Sequence, residues 1–396
     1  MIYSMFADKE LPLLGFGTMR LPTLPDGSID AAATQEMVDC AMANGVNYFD
    51  TAYPYHGGNS ELVIGQALKK YPRDSFYLAT KYPGHQIAST YDPAEIFEDQ
   101  LKKCQVEYFD FYLLHNVSEL CLDVYEDAKW GIIDYFVAQK KAGRIKHLGF
   151  SSHGSLSMMA DFLSRHHAEM EFCQIQLNYI DWTLQQGAEK CQLLGSYGIP
   201  TWVMEPVRGG KLAALPAEHS AALHAARPDH SDAAWAFRFL QDIPGVKVIL
   251  SGMSNMAQMQ ENIATFSDWN PLTPEEKELL LGIGETMADA LPCTGCRYCT
   301  DGCPMELDIP TMINAYNDIK FDAAANAKML FESMPEDKQP QCCIACGACT
   351  QICPQKIDIP TVLADLAERL KDIPSWREIS RQREEARLAL KAQQGK

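Results

Sequence analysis

The 396-residue sequence has no run of about 18 apolar residues, so no helix able to cross a bilayer is expected. It is poor in positive charge: 34 Lys and Arg stand against 52 Asp and Glu, a formal net charge of -18. An acidic surface repels phosphate backbones and anionic lipid, so neither nucleic acid nor a membrane is an expected partner. The opening MIYSMFADKELP has no basic segment followed by an apolar run, so no signal peptide is read there and a cytoplasmic location is expected. No G-x-G-x-x-G follows a first strand, which weakens an open dinucleotide-binding sheet. Cysteine is not scarce. There are 14, and in a reducing compartment clustered cysteines mean metal rather than disulfides.

The first two-thirds alternates short apolar runs with amphipathic stretches. Candidate strands are LLGFG (13–17), VNYFD (46–50), FYLATK (76–81), FDFYLLH (109–115), IKHLGFS (145–151), FCQIQL (172–177), IPTWVME (199–205) and VKVILSG (246–252). Helical patterns lie between them, among them 32–44, 93–104, 128–142 and 184–197. Continuous apolar strands alternating with helices imply a parallel sheet covered by helices. Eight units over roughly 250 residues favour a closed (β/α)8 TIM barrel, a fold of the α/β class, over an open sheet. In such a barrel, residues at the C-terminal strand ends face the active site. Those ends carry Asp50, Lys81, His115, Ser151 and Glu205.

We divide the chain into the barrel (1–270), a connecting helix opened by Thr273 and Pro274 (271–290), a cysteine-rich domain (291–373) and a charged helical tail (374–396). The tail reads as a solvated helix packed by a few apolar residues, or as one that frays, with nothing in its sequence pointing to function.

Residues 293–313 read CTGCRYCTDGCPMELDIPTMI and residues 343–363 read CIACGACTQICPQKIDIPTVL. Each carries C-x2-C-x2-C-x3-C-P followed by Asp-Ile-Pro-Thr. Three thiolates on a tight loop wrap three corners of an iron–sulfur cubane, and the fourth cysteine, before proline, serves the other cluster. Cys293, Cys296, Cys299 and Cys353 are therefore assigned to one [4Fe–4S] cluster, and Cys343, Cys346, Cys349 and Cys303 to the second. Zinc sites usually separate two ligand pairs by a longer loop, which disfavours zinc here. Cys342 is off-pattern. Cys40, Cys104, Cys121, Cys173 and Cys191 read as packing residues. The segment resembles a bacterial-type two-cluster ferredoxin domain, largely helical, with an insertion at 314–341.

The strand ends also form a pattern. Asp50 opens DTAYPYHGGNSELVIGQAL, Lys81 closes FYLATK and His115 closes DFYLLH. These motifs resemble the aldo/keto reductase family, with GFGTMRLP (15–22), GFSSHG (149–154), the Gln174/Asn178 run and GMSNMAQMQEN (252–262) following in order. The resemblance covers about 10–268 and implies a tetrad of Asp50, Tyr55, Lys81 and His115 reducing a small-molecule carbonyl with NAD(P)H. An ammonium beside a phenol lowers its pKa, which ordinarily lies near 10. Tyr55 would then be the general acid, with Lys81 held by Asp50, and His115 would orient the carbonyl.

By family position, Ser151, Ser152 and Gln174 would hold the carboxamide. Met204 stands where an aromatic residue usually stacks on the nicotinamide. Thr18, Met19, Asp50, Pro206, Gly209, Gly252, Ser254, Gln258, Glu261 and Asn262 complete the expected cofactor contacts. The 252–258 loop holds no Lys or Arg, so it does not support a preference for NADP. Arg208 and Lys211 have two readings, contact with a pyrophosphate or substrate anion, or simple solvation.

The two halves of the chain differ in electron count. A hydride carries two electrons, whereas a cluster passes one. Three arrangements remain open: clusters that are structural or sense redox state, a flavin in the barrel instead of nicotinamide, or clusters feeding a bound substrate or exchanging electrons with a redox partner protein.

Overall fold

The computed structural model describes residues 1–394 apart from 87, 89, 289, 292, 294–296, 321–323 and 354. A hairpin, β1 (Tyr3–Phe6) and β2 (Lys9–Pro12), precedes the eight barrel strands. These are β3 (Leu14–Gly17), β4 (Tyr48–Asp50), β5 (Tyr77–Tyr82), β6 (Phe109–Leu114), β7 (Ile145–Ser152), β8 (Cys173–Gln176), β9 (Thr201–Met204) and β10 (Val246–Ser251). They pair in parallel in chain order, and β10 closes on β3. All eight expected strands are present, most of them shorter by a residue or two at an end. The hairpin was not expected from the sequence.

The hairpin explains how the bottom of the barrel is filled. Phe6 packs among Tyr48, Phe111, Phe172 and Trp202, with its ring 5.1 Å from that of Trp202. The Trp202 indole donates to the Tyr48 hydroxyl at 3.0 Å, so the two polar tips in this aromatic core satisfy each other. Between barrel and helices lies the larger apolar layer, containing Phe49, Phe97, Tyr112, Phe136 and Trp235. Helices begin where a side chain supplies the missing acceptor. Asp92 accepts from the Ala94 and Glu95 amides ahead of Pro93–Cys104, and Ser155 accepts from Met158 ahead of Leu156–His166.

After the helix Pro274–Ala288 the chain is helical: Ile309–Lys320, Ala324–Ser333, Ile359–Asp372 and Trp376–Gln394. Pro310 and Pro360 each sit in a first turn, where a missing N–H costs nothing. Leu307, Met312, Ile313, Leu363 and Leu366 form a second core.

This unit packs across the mouth of the barrel. Asn326 reaches the His153 ring at 3.3 Å, and Gln185 donates to Asp318 at 3.4 Å. The tail is packed through one face. Trp376 is buried, its indole donates to the His85 carbonyl at 3.1 Å, and its backbone amide donates to Glu332 at 3.0 Å. An aromatic anchor and Ser380 on one helical face explain why this charged helix docks.

Candidate active site and cysteine cavity

Parallel closure puts the ends of β4, β5 and β6 side by side, with Asp50 in register with Ala79 and Lys81 with Leu113. Lys81 is fully buried and donates to Asp50 at 2.5 Å and to the Thr51 carbonyl at 2.8 Å. Burial works against the Lys81 ammonium and pushes the Asp50 carboxyl up. Their mutual attraction, together with Tyr55, raises Lys81 above its ordinary value and keeps the ammonium charged.

Tyr55 opens a tight turn, Tyr55–Gly58, in which His56 and Gly57 take left-handed backbone angles. The Lys81 ammonium lies 5.1 Å from the centre of the Tyr55 ring. Burial nevertheless raises the phenol, and Lys81 offsets only part of that. The net direction is therefore opposite to the lowering expected from the lysine alone: desolvation of the phenolate outweighs the nearby charge. The phenol is protonated at neutral pH.

The His115 ring meets Tyr55 edge-on at 5.9 Å and His85 at 4.2 Å. Burial, with His85, Lys81, His153 and Arg383 around it, pushes His115 well below the usual histidine range. It is a neutral imidazole whose Nδ1 has no partner among the described residues. A protonated phenol, a buried ammonium and a neutral imidazole thus meet at one point, an arrangement able to donate hydrogen bonds to a carbonyl oxygen and pass it a proton.

The expected cofactor contacts fall into two groups. Gln174, on β8 beside Ser151, is buried with its Oε1 lacking a partner among the described residues. That orphaned acceptor fits a carboxamide NH2, so the residues present suit a nicotinamide. Other groups are already engaged. Thr18 donates to the Asp50 carbonyl at 3.0 Å, Ser151 accepts from the Asn116 amide at 2.8 Å, and Ser152 donates to the Val117 carbonyl at 2.7 Å. Ser254 donates to the Arg20 carbonyl at 2.8 Å, its amide donates to Gln258, and Asn262 donates to Ser251 at 3.0 Å. Pro206 is buried and Met204 half-buried, while Met19, Gly209, Gly252 and Glu261 are exposed at the rim. Arg208 is buried against Asp181, which also accepts from Gln176 and Asn178. That ion pair claims Arg208.

Sequence reasoning missed His85, His153, Trp376, Ser380 and Arg383. No local motif marks them, because the last three arrive from far along the chain. It also passed over Arg20, which approaches Gly209 and Gly252.

Four cysteines, Cys303, Cys343, Cys346 and Cys349, line one cavity of about 340 Å³ with Pro304, Leu307, Ile309 and Leu363. These are the four assigned to the second cluster. Among the described residues, no three His, Cys, Asp or Glu side chains converge as for a single metal ion. A largely apolar cavity ringed by four thiols fits a bulkier soft-ligand group such as an iron–sulfur cubane. Of the other set, Cys293, Cys299 and Cys353 lie on the same apolar core, and Cys296 lies outside the described residues.

Residues 13–283 match the model of the aldo/keto reductase family, and residues 292–357 match that of a 4Fe-4S dicluster domain. A probable aldo-keto reductase 1 of Glycine max is 27% identical over 51% of this chain and 57% of its own. An NADH-specific methylglyoxal reductase of Escherichia coli is 25% identical over 52% of this chain and 66% of its own. The chain thus spans between half and two-thirds of the length of these relatives. An aldo-keto reductase of Bacillus halodurans in its holo form superposes with a TM-score of 0.58 at 26% identity, covering 70% of this chain and 93% of that one. The matches support a nicotinamide cofactor and give the flavin alternative no support. The chain belongs to the aldo/keto reductase family, as an oxidoreductase barrel joined to an iron–sulfur domain.

Proposed function

We propose that the barrel reduces a small-molecule carbonyl with NAD(P)H, with Tyr55 as proton donor. The observation that carries this reading is the buried Lys81 ammonium, held by Asp50 and touching Tyr55 beside a neutral His115. When bound, the nicotinamide supplies the hydride. Tyr55 donates its proton to the oxygen that gains charge, and Lys81 stabilises the phenolate left behind. His115 fixes the carbonyl direction through a donated hydrogen bond. Gln174 orients the carboxamide. Because the 252–258 loop has no Lys or Arg and Glu261 is exposed nearby, NADH is the favoured coenzyme over NADPH. The Escherichia coli relative's printed name, NADH-specific, agrees with that preference.

The domain at 291–373 would hold two [4Fe–4S] clusters on the eight cysteines assigned above. The domain packs on the barrel mouth, a placement suited to electron exchange with a redox partner or to sensing redox state. The test is Tyr55→Phe in the cluster-loaded protein. Carbonyl-dependent oxidation of NADH should fall by roughly 100- to 10,000-fold while coenzyme binding and cluster absorbance persist. Unchanged turnover in Tyr55→Phe, or a wild-type protein that binds neither NADH nor NADPH, would sink the reading.

A further inference from the structure

A cleft opens between the Tyr55–Gly58 turn, the segment after β5 and the helix Trp376–Gln394. Its walls include Pro54, Tyr91 and Ile96, and its far side is Ser380 and Arg383. The Ser380 side chain is 1% exposed and its Oγ has no partner among the described residues. Arg383 lies one turn further along the same helical face, its guanidinium 5.1 Å from the centre of the Trp376 ring. Among the described residues no carboxylate pairs with it. The first residue of the same helix, Trp376, lies 5.8 Å ring to ring from His85, which is itself 4.2 Å from the His115 ring, so this helix reaches the edge of the tetrad.

A half-buried guanidinium without a counter-ion and a buried hydroxyl without a partner are both costly. An anionic ligand removes both costs at once. Of the acids that also line the cleft, Asp92 caps the helix Pro93–Cys104, and Glu95 and Glu384 are not free. Arg383 is the only cation among the described lining residues, which suits a singly charged carboxylate rather than a phosphate dianion. The apolar walls of the cleft, Pro54, Tyr91 and Ile96, suit a hydrocarbon or ring body.

We propose that the substrate is a carboxylate-bearing aldehyde or ketone, and that the terminal helix completes its pocket, with Arg383 and Ser380 binding the carboxylate. This names the substrate class of the site under the proposed reading. It also makes the helix that follows the iron–sulfur domain a wall of the active site.

The experiment uses the cluster-loaded full chain. Calorimetry with benzoate and benzamide reads the anion site without turnover. Wild type should prefer benzoate, and Arg383→Gln should weaken benzoate roughly 10- to 100-fold. Ser380→Ala, a smaller change that keeps the helix docked, should weaken it several-fold. In steady state, the ratio of kcat/KM for 4-carboxybenzaldehyde to that for benzaldehyde should fall by a similar factor in Arg383→Gln. Equal losses on both aldehydes, or benzoate no tighter than benzamide in wild type, overturn the proposal. If benzoate binds but no aldehyde supports coenzyme oxidation, the reductase reading fails and the anion site stands.

Discussion

Replacing Lys81 by Met separates the stability role of the tetrad from its chemistry. The ammonium is fully buried, and the Asp50 carboxylate it neutralises at 2.5 Å is 3% exposed. Met keeps most of the side-chain length, so packing changes little and the main loss is the charge. The variant leaves a buried carboxylate without a counter-ion, which costs about 3–5 kcal/mol. Asp50→Asn/Lys81→Met removes both charges and should recover at least half of that loss. Activity should not follow stability: both variants lack the cation that stabilises the Tyr55 phenolate, and both should lose roughly 100-fold or more in carbonyl reduction. Urea unfolding followed by circular dichroism gives the first quantity, and steady-state coenzyme oxidation gives the second. A double variant as unstable as Lys81→Met would refute the ion-pair argument. Near-normal turnover in either variant would refute the assignment of Lys81 to catalysis.

The remaining predictions concern protons and cysteines. Burial holds Tyr55 above and His115 well below their ordinary values, so neither titrates near neutrality. Reduction should therefore be flat from about pH 7 to pH 9, and a clear ionisation inside that window would contradict the burial argument. Asp318, buried against Asp181, has its carboxyl pushed up to about 7. Its folded pKa exceeds its unfolded one, so its contribution is fully present below about pH 4 and is lost as pH rises through 7. Asp318→Asn should stabilise the protein at pH 8 by about 2–4 kcal/mol and flatten that dependence in unfolding curves. His153 runs the other way: burial takes it down to about 4, so stability falls as pH drops below about 6.5, and His153→Gln should reduce that acid loss. Cys303→Ala removes a ligand from one cavity only, and iron content should fall by about half. Full iron content would disprove the crossed ligand assignment.

Much of the barrel was legible because its signals are local. A parallel strand covered on both faces tends to a continuous apolar run, and β6, FDFYLL, shows it most clearly. The tetrad was legible for a related reason: Asp50, Lys81 and His115 lie at strand ends, and closure of the barrel brings strand ends together. The cysteine repeat was equally plain, since the spacing of the thiols is itself the ligand geometry. The hairpin left little trace, because Tyr3–Phe6 and Lys9–Pro12 are four residues each and only Phe6 and Leu11 reach the inner core.

The sequence by itself determined the barrel, the placing of Asp50, Lys81 and His115 at neighbouring strand ends, and the two cysteine runs, each from a pattern contained within a short stretch. Only the tertiary structure decided the proton balance and the walls of the site. Whether Tyr55 is raised or lowered depends on desolvation against one ammonium, and burial is a property of the packed fold. The claim of Asp181 on Arg208, the arrival of Trp376 against His85, and that of Ser380 and Arg383 at the cleft by the Tyr55–Gly58 turn join residues far apart in the chain. No periodicity records such a contact, because the free energy that makes it comes from surfaces that meet only after folding.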